Sequence, residues 1–372
     1  MTHDEPCSMA PDDKHDLISG TCSHLPSVIR YKRHKTGGQM NKKTTVILLL
    51  LIAMFGIGAL TEKKTNLISY SKFLIKENIA WDDTENQQWG SEFKEVTISS
   101  SIDEEQQQAM FLRSPKKAPL IISLHTWSGD YKQFDPLSDK ATEAKWNYIH
   151  PDFRGPNWTV DACLSPKAIA DIDDAIDYAI NNGNVDENNI FVVGVSGGGY
   201  ATLGSYLKSK HNINTFMAWV PISDLSLWHK QSKDRGSSYA NNIVACTGSD
   251  GKLDEASAKT RSPLQWDIPS NKNNIEIYAG INDGHTGSVP VSQSILFFNK
   301  LAKQYDPTKI VTAEEAIFIL DRKLQPPMNS KNIEGRDIIF ERKSGPASIH
   351  IFDGSHEMLS NYAFDRLNNL IK

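Results

Sequence analysis

The chain has 372 residues, 39% hydrophobic and 23% charged, with a net charge of −5. That is globular composition with room for one large domain or two small ones. The negative balance gives no reason to expect a nucleic-acid partner, and neither an internal repeat nor a low-complexity tract occurs.

Residues 1–39 are polar, lack a periodic apolar pattern and hold two of the four cysteines. The uncharged run "TTVILLLLIAMFGIGAL" follows at 44–60, behind the basic stretch "KRHKTGGQMNKK". As a membrane span it sits at the short limit of about 17 to 25 residues, and its basic flank would keep residues 1–43 in the cytoplasm. As a secretory signal it fits better: a basic start, an apolar core, then the small residues Gly56, Gly58 and Ala59. Such a signal would begin at Met40, which makes 1–39 an extension upstream of the true start. The chain thus divides into an extension at 1–39, a signal peptide or membrane anchor at 40–60, a segment at 61–91 and a main folded domain at 92–372. Everything beyond about residue 61 is expected outside the cytoplasmic membrane, in the periplasm or extracellular space. Any membrane contact is expected only through the N-terminal segment.

From residue 92 strand and helix signals alternate. "FKEVTISSS" and "QQQAMFLR" alternate like a half-buried antiparallel pair, and "APLIISLHT" is a continuous apolar run suited to a strand covered on both faces. "KWNYIHPDF" is a further strand. "SPKAIADIDDAIDYAINNG" predicts a helix from behind Ser165-Pro166 to Gly183, with Ile169, Ile172, Ala175, Ile176, Ala179 and Ile180 inward and its acidic residues outward. Next come a buried strand "NNIFVVGVS", a helix "GGYATLGSYLKSKHN", strands "INTFMAWVPIS" and "NIEIYAGIND", a helix "VPVSQSILFFNKLAKQYD", a last strand "ASIHIFDGS" and a closing helix "HEMLSNYAFDRLNNLIK". This order predicts an α/β fold with a mostly parallel sheet and helices on both faces. Residues 225–272 and 306–342 interrupt it and read as polar, irregular surface insertions.

Four glycines crowd one serine in "FVVGVSGGGY". A G-x-S-x-G match arises by chance in about one chain in eight of this length, so its context must carry the reading. Here it follows a buried strand and opens a helix, the setting of a nucleophile elbow. Ser196 is the candidate nucleophile, and the backbone N–H of Gly197 a candidate oxyanion donor. An elbow serine needs an acid and then a histidine downstream, at strand ends. Asp283 and His356 stand in that order. Asp224, after the preceding strand, is the alternative acid, although Asp283 is favoured. His285 reads as a rim residue, and Asp353 as facing its own turn.

The elbow Gly194-Val195-Ser196-Gly197-Gly198, the stretch Gly280-Ile281-Asn282-Asp283 with Val289-Pro290 and Gln293-Ser294, and Gly354-Ser355-His356 resemble the α/β-hydrolase superfamily. Within it they resemble the catalytic domain of prolyl oligopeptidase-like serine hydrolases and related secreted esterases, over about residues 92–372. The resemblance implies a mainly parallel eight-stranded sheet, with an insertion over the active site, and a triad of Ser196, His356 and Asp283. Where the family shows His-Gly-Gly-like residues, this chain has "LHTWSGD", so the second oxyanion donor is the N–H of Trp127 or of Thr126, and His125 takes a supporting role. The family's β-propeller has no counterpart in the roughly 30 residues between the export segment and the first strand.

The expected chemistry is acyl transfer through an acyl-enzyme, with no cofactor and no metal: neither H-E-x-x-H, nor paired cysteines, nor a phosphate loop occurs. The first expectation for substrate is a carbohydrate or small-molecule ester; short peptides are the alternative, and a non-catalytic binding module is a third. Trp127, Tyr200 and Trp228 are candidates for lining a substrate cleft, against the plain alternative of core packing. After export only Cys163 and Cys246 remain. In an oxidising compartment they are expected to pair and pin the insertion over the cleft, the competing reading being two buried thiols.

Overall fold

The computed structural model describes residues 89–270, 273–322, 326–327 and 330–372. The chain divides into two units, Met1–Leu74 and Ile75–Lys372, and every described residue belongs to the second. The extension at 1–39, the export segment at 40–60 and nearly all of 61–91 lie outside the described residues.

Ten strands form one sheet: β1 (Lys94–Ser99), β2 (Gln106–Leu112), β3 (Ala118–Leu124), β4 (Asn147–Pro151), β5 (Val185–Val195), β6 (Thr215–Trp219), β7 (Asn274–Gly280), β8 (Asn332–Ile333), β9 (Arg336–Ser344) and β10 (Ala347–Phe352). Their order is β1-β2-β4-β3-β5-β6-β7-β10-β9-β8. The central strands β4, β3, β5, β6, β7 and β10 are parallel, while β1, β2, β9 and β8 run antiparallel to their neighbours. Continuous apolar runs such as "PLIISL" in β3 occupy the middle because both faces there are covered, and the strand is almost entirely buried. The chain leaves β3 toward β4 on one side and returns to β5 on the other. The loops after β3 and β5 therefore diverge at a topological switch point, where open α/β sheets form their crevice.

The helices are α1 (Pro136–Ala144), α2 (Pro166–Asn182), α3 (Gly197–Lys208), α4 (Leu225–Asp234), α5 (Tyr239–Cys246), α6 (Glu255–Thr260), α7 (Ser292–Tyr305), α8 (Ala313–Leu320) and α9 (Ser360–Asn368). The Ser165 hydroxyl caps α2 by accepting from the Ala168 N–H, Pro166 occupies its first turn, and the Gly183 N–H closes it onto the Ala179 carbonyl.

Three expectations are corrected, and one helix was not foreseen. Three of the four acids of α2 do not face water: Asp171, Asp173 and Asp174 are buried, while Asp177 reaches the surface and pairs with Lys210 (2.8 Å). Asp171 accepts from Ser100 Oγ (2.5 Å) and Arg154 Nε (2.5 Å), Asp173 from Ser209 Oγ (2.5 Å), and Asp174 from the Ser101 N–H (2.7 Å). Buried carboxylates survive because each finds donors, and these donors lie on distant segments. The stretch 225–272 is not irregular, since it carries α4, α5 and α6, with Asp224 and Asp254 as N-caps. The sheet has ten strands rather than eight, because β8 and β9, inside the expected insertion at 306–342, add to the β10 edge. Finally, α1 was unforeseen: its apolar face is little more than Leu137 and Ala141.

A disulfide joins Cys163, in the loop after β4, to Cys246 at the end of α5, with Cα atoms 6.1 Å apart and 83 positions between them in sequence. Arg261 reinforces the same seam, donating to the carbonyls of Val160 (2.8 Å), Ala162 (3.0 Å) and Cys163 (3.2 Å). The insertion is thereby tied to the loop that borders the crevice. Closing a loop of this size removes unfolded-state entropy worth about 4 kcal/mol in the chain-entropy model. Replacing both cysteines with alanine is expected to lower the denaturant midpoint, and reductant should lower the wild-type midpoint toward the same value. Identical midpoints for wild type and variant, with reductant without effect, would show that the bond contributes no stability.

Candidate active site

Ser196 sits between the end of β5 and the start of α3 with φ 57° and ψ −116°, a conformation that costs a non-glycine residue energy. Backbone bonds hold it there: the Ser196 N–H donates to the Trp219 carbonyl and the Tyr200 N–H to the Ser196 carbonyl, both at 2.9 Å. The turn closes only because Gly198 lacks a side chain: a Cβ there would lie 2.0 Å from the Leu124 carbonyl oxygen. As the N-terminal residue of α3, Gly197 presents an N–H with no intrahelical acceptor, so the positive end of the helix dipole faces the serine.

The loop after β3 meets this turn directly. A Cβ on Gly197 would stand 2.2 Å from the backbone nitrogen of Trp127. The Thr126 N–H is taken by Gln133 Oε1 at 2.8 Å, which leaves the Trp127 N–H as the donor beside Gly197. His125 ties the loop to the one after β4: its Nε2 bonds the Asp152 carbonyl oxygen at 2.7 Å, and its ring stacks on Phe153 with centroids 3.8 Å apart. Beneath it lies His150, whose pKa burial pushes down to about 4, against the opposing pull of Asp135 at 3.7 Å. A neutral imidazole therefore underlies the loop at ordinary pH.

Asp283 follows β7 and His356 follows β10, both at the carboxyl edge of the sheet. Asp283 Oδ2 accepts from His356 Nδ1 at 2.8 Å, and Oδ1 accepts from the backbone N–H groups of Gly284 (2.9 Å) and Val289 (3.0 Å). Met358, two residues beyond His356, lines the same small cavity as Gly194 and Val195, which brings this loop to the serine turn. Ser196, Asp283 and His356 are 2%, 2% and 5% exposed. Asp224 is committed elsewhere: Oδ1 caps α4 through the Leu227 N–H (2.9 Å), and Oδ2 accepts from Gln265 Nε2 (3.0 Å). His285 and Asp353 are exposed.

The model of the prolyl oligopeptidase family matches residues 152–317, a stretch that includes the serine turn and Asp283. The chain has the α/β-hydrolase fold, and the matched stretch is similar to the prolyl oligopeptidase family. Among solved structures it is similar to an acylaminoacyl peptidase from Pyrococcus horikoshii (15% identity, TM-score 0.51, covering 77% of this chain and 41% of that one). It is similar too to prolyl oligopeptidase B from Galerina marginata, bound to a 35-residue hydrolysis and macrocyclization substrate (13%, 0.51, 76% and 37%). A third is a puromycin-hydrolyzing peptidase from Mycobacterium tuberculosis (16%, 0.50, 75% and 38%). The chain thus spans about two fifths of the length of these structures, and at such identities the likeness shows the fold. None of the curated proteins matches the chain.

The expected aromatic lining is corrected. Trp127, Tyr200 and Trp228 are all fully buried and pack on one another: Trp127 meets Trp228 edge-on at 4.8 Å and Tyr200 at 5.9 Å. The Tyr200 hydroxyl donates to the Arg261 carbonyl (2.6 Å) and Trp228 Nε1 to the Ser288 carbonyl (3.0 Å). Rings buried against one another in this way support the site from below; they do not line an open cleft.

Sequence reasoning passed over Gln133, which accepts from the Thr126 N–H, and Arg235, which binds three carbonyls of the loop after Asp283. Neither belongs to a motif. Each acts through side-chain contacts that form only when the chain is folded.

Proposed function

We propose that the chain is an exported serine peptidase that cleaves short peptides through an acyl-enzyme. Ser196 is the nucleophile, His356 the general base and then acid, and Asp283 the group that orients it. The backbone N–H groups of Gly197 and Trp127 form the oxyanion hole. The observation that carries this reading is the 2.8 Å contact between Asp283 Oδ2 and His356 Nδ1, at the same sheet edge as the strained Ser196 turn. With its Nδ1–H held by the carboxylate, His356 presents Nε2 as an acceptor for the Ser196 proton. The alkoxide attacks the carbonyl carbon, the oxyanion is received by the two N–H groups, and His356 returns the proton to the leaving amine. Water then clears the acyl group by the same route.

Peptides are preferred over esters because the matching family is named for an oligopeptidase and the similar structures are peptidases. Export rests on the apolar segment at 44–60, and the Cys163–Cys246 disulfide supports it, since such bonds persist in oxidising compartments. The test is a panel of aminoacyl p-nitroanilides and p-nitrophenyl esters, with labelling by a fluorophosphonate. Labelling at Ser196 and turnover of anilides is the expected result. Turnover of esters alone would replace the peptidase by an esterase, and the absence of labelling would remove the serine mechanism.

A further inference from the structure

We propose that Arg235 is a positioning residue for this reaction: from the insertion, its guanidinium fixes the loop that presents Asp283 to His356. The proposal rests on the reading of Asp283 as the orienting acid.

Arg235 lies immediately after α4. Its Nε donates to the Gln231 carbonyl of that helix (3.0 Å), which sets the direction of the fork. Nη1 donates to the carbonyls of Gly284 (3.0 Å) and Gly287 (3.1 Å), and Nη2 to that of Ser288 (2.7 Å). All three carbonyls lie in the loop between Asp283 and Val289.

The link to the carboxylate runs through one peptide unit. The Ser288 carbonyl is held by Arg235 Nη2 and by Trp228 Nε1, and the N–H of the same planar unit, that of Val289, donates to Asp283 Oδ1. Because the peptide bond is rigid, fixing its carbonyl fixes the direction of its N–H, and with it the carboxylate. The loop has little slack on its other side. A Cβ on Gly287 would come within 2.4 Å of both Asp283 Oδ1 and His356 Cβ, so the backbone there rests directly on the pair. A loop released from Arg235 would shift against the two groups whose alignment the reaction needs. Lysine could not replace this fork, since one ammonium cannot reach three carbonyls in fixed directions while bonding its own helix.

The test compares R235A, R235K and W228F, which removes the indole N–H donor and leaves a smaller ring, with K230A as the control. Lys230 pairs with Asp234 on the exposed face of the same helix. In R235A kcat is expected to fall about 100-fold with KM nearly unchanged, the scale of a misplacement of order 1 Å at the reacting groups. R235K should recover little of it, while W228F should show a smaller fall in the same direction. The acid limb of the kcat/KM profile should move to lower pH, because a misaligned carboxylate stabilises the His356 imidazolium less. Added guanidinium should restore part of the activity of R235A. A merely structural role would lower the thermal midpoint without moving the acid limb and without rescue, and that result overturns the proposal. Should R235A fail to fold, R235K and W228F carry the same test, and wild-type kcat in both overturns it. D283N, measured alongside, separates the two levels. A crippled D283N beside fully active Arg235 variants rejects the positioning role alone, whereas an active D283N rejects the assignment of the acid on which it rests.

Discussion

Replacing Ser196 with alanine is expected to lower kcat by about 10⁶, the scale seen when a triad serine is removed from other hydrolases, and to leave the chain folded. Both halves of that expectation come from the local structure. The side chain supplies the nucleophilic oxygen, and no other hydroxyl is presented on the strained turn at the switch point. The turn itself is held by main-chain bonds, from the Ser196 N–H to the Trp219 carbonyl and from the Tyr200 N–H to the Ser196 carbonyl, which alanine keeps. Alanine at φ 57° is strained much as serine is, so little stability separates the two. The measurement is a pre-steady-state burst and steady-state kcat on a substrate from the panel, with circular dichroism as the folding control. Loss of fluorophosphonate labelling should accompany the loss of turnover. Residual activity above about a hundredth of wild type would place the nucleophile elsewhere.

Much of the central sheet was legible because its residues obey a local rule. "PLII" and "IFVVGV" are apolar throughout, and a strand covered on both faces demands that. The α2 helix announced itself through Ser165-Pro166 and Gly183, which act within one turn of the chain. What was not legible depends on partners far away in sequence. Asp171 and Asp174 looked like solvent-facing acids because nothing near them in sequence signals Arg154 or the loop at Ser100–Ser101. The helices α4 to α6 were hidden because each is short and buries only a few residues, and α4 packs on α5 and α6 rather than on the sheet. The strand β9 alternates polar and half-buried residues over "RDIIFERKS", and only its pairing with β10 decides that it belongs to the sheet. At the site the same division holds. The order of Ser196, Asp283 and His356 could be read from motifs. That the Thr126 N–H is occupied could not, because its acceptor is the Gln133 side chain.

The acid is the sharpest case, since Asp224 and Asp283 both follow strands and the sequence admitted either. Asp283→Asn is expected to lower kcat by about 10⁴, with Asp224→Asn mild. In the wild type, Asp283 Oδ1 accepts from two backbone N–H groups, those of Gly284 and Val289, and Oδ2 accepts from His356 Nδ1. Asparagine has one oxygen and one NH₂ to place at these two positions. The oxygen must face the two N–H groups, because an NH₂ there would set donor against donors on a buried, rigid loop. The NH₂ is then left toward His356 and donates to Nδ1. That forces the imidazole proton onto Nε2, the nitrogen that must accept from Ser196, so the base is held in the wrong tautomer while the geometry survives. KM should therefore change far less than kcat. At Asp224 the same replacement keeps what the residue does: the asparagine oxygen still caps α4 through the Leu227 N–H, and asparagine is as good an N-cap as aspartate. The bond from Gln265 Nε2 would be lost, at a partly exposed position where the cost is about 1 kcal/mol or less. Steady-state kinetics of the two variants, each checked for folding, decides the matter. A crippled Asp224→Asn beside a nearly wild-type Asp283→Asn would transfer the role to Asp224.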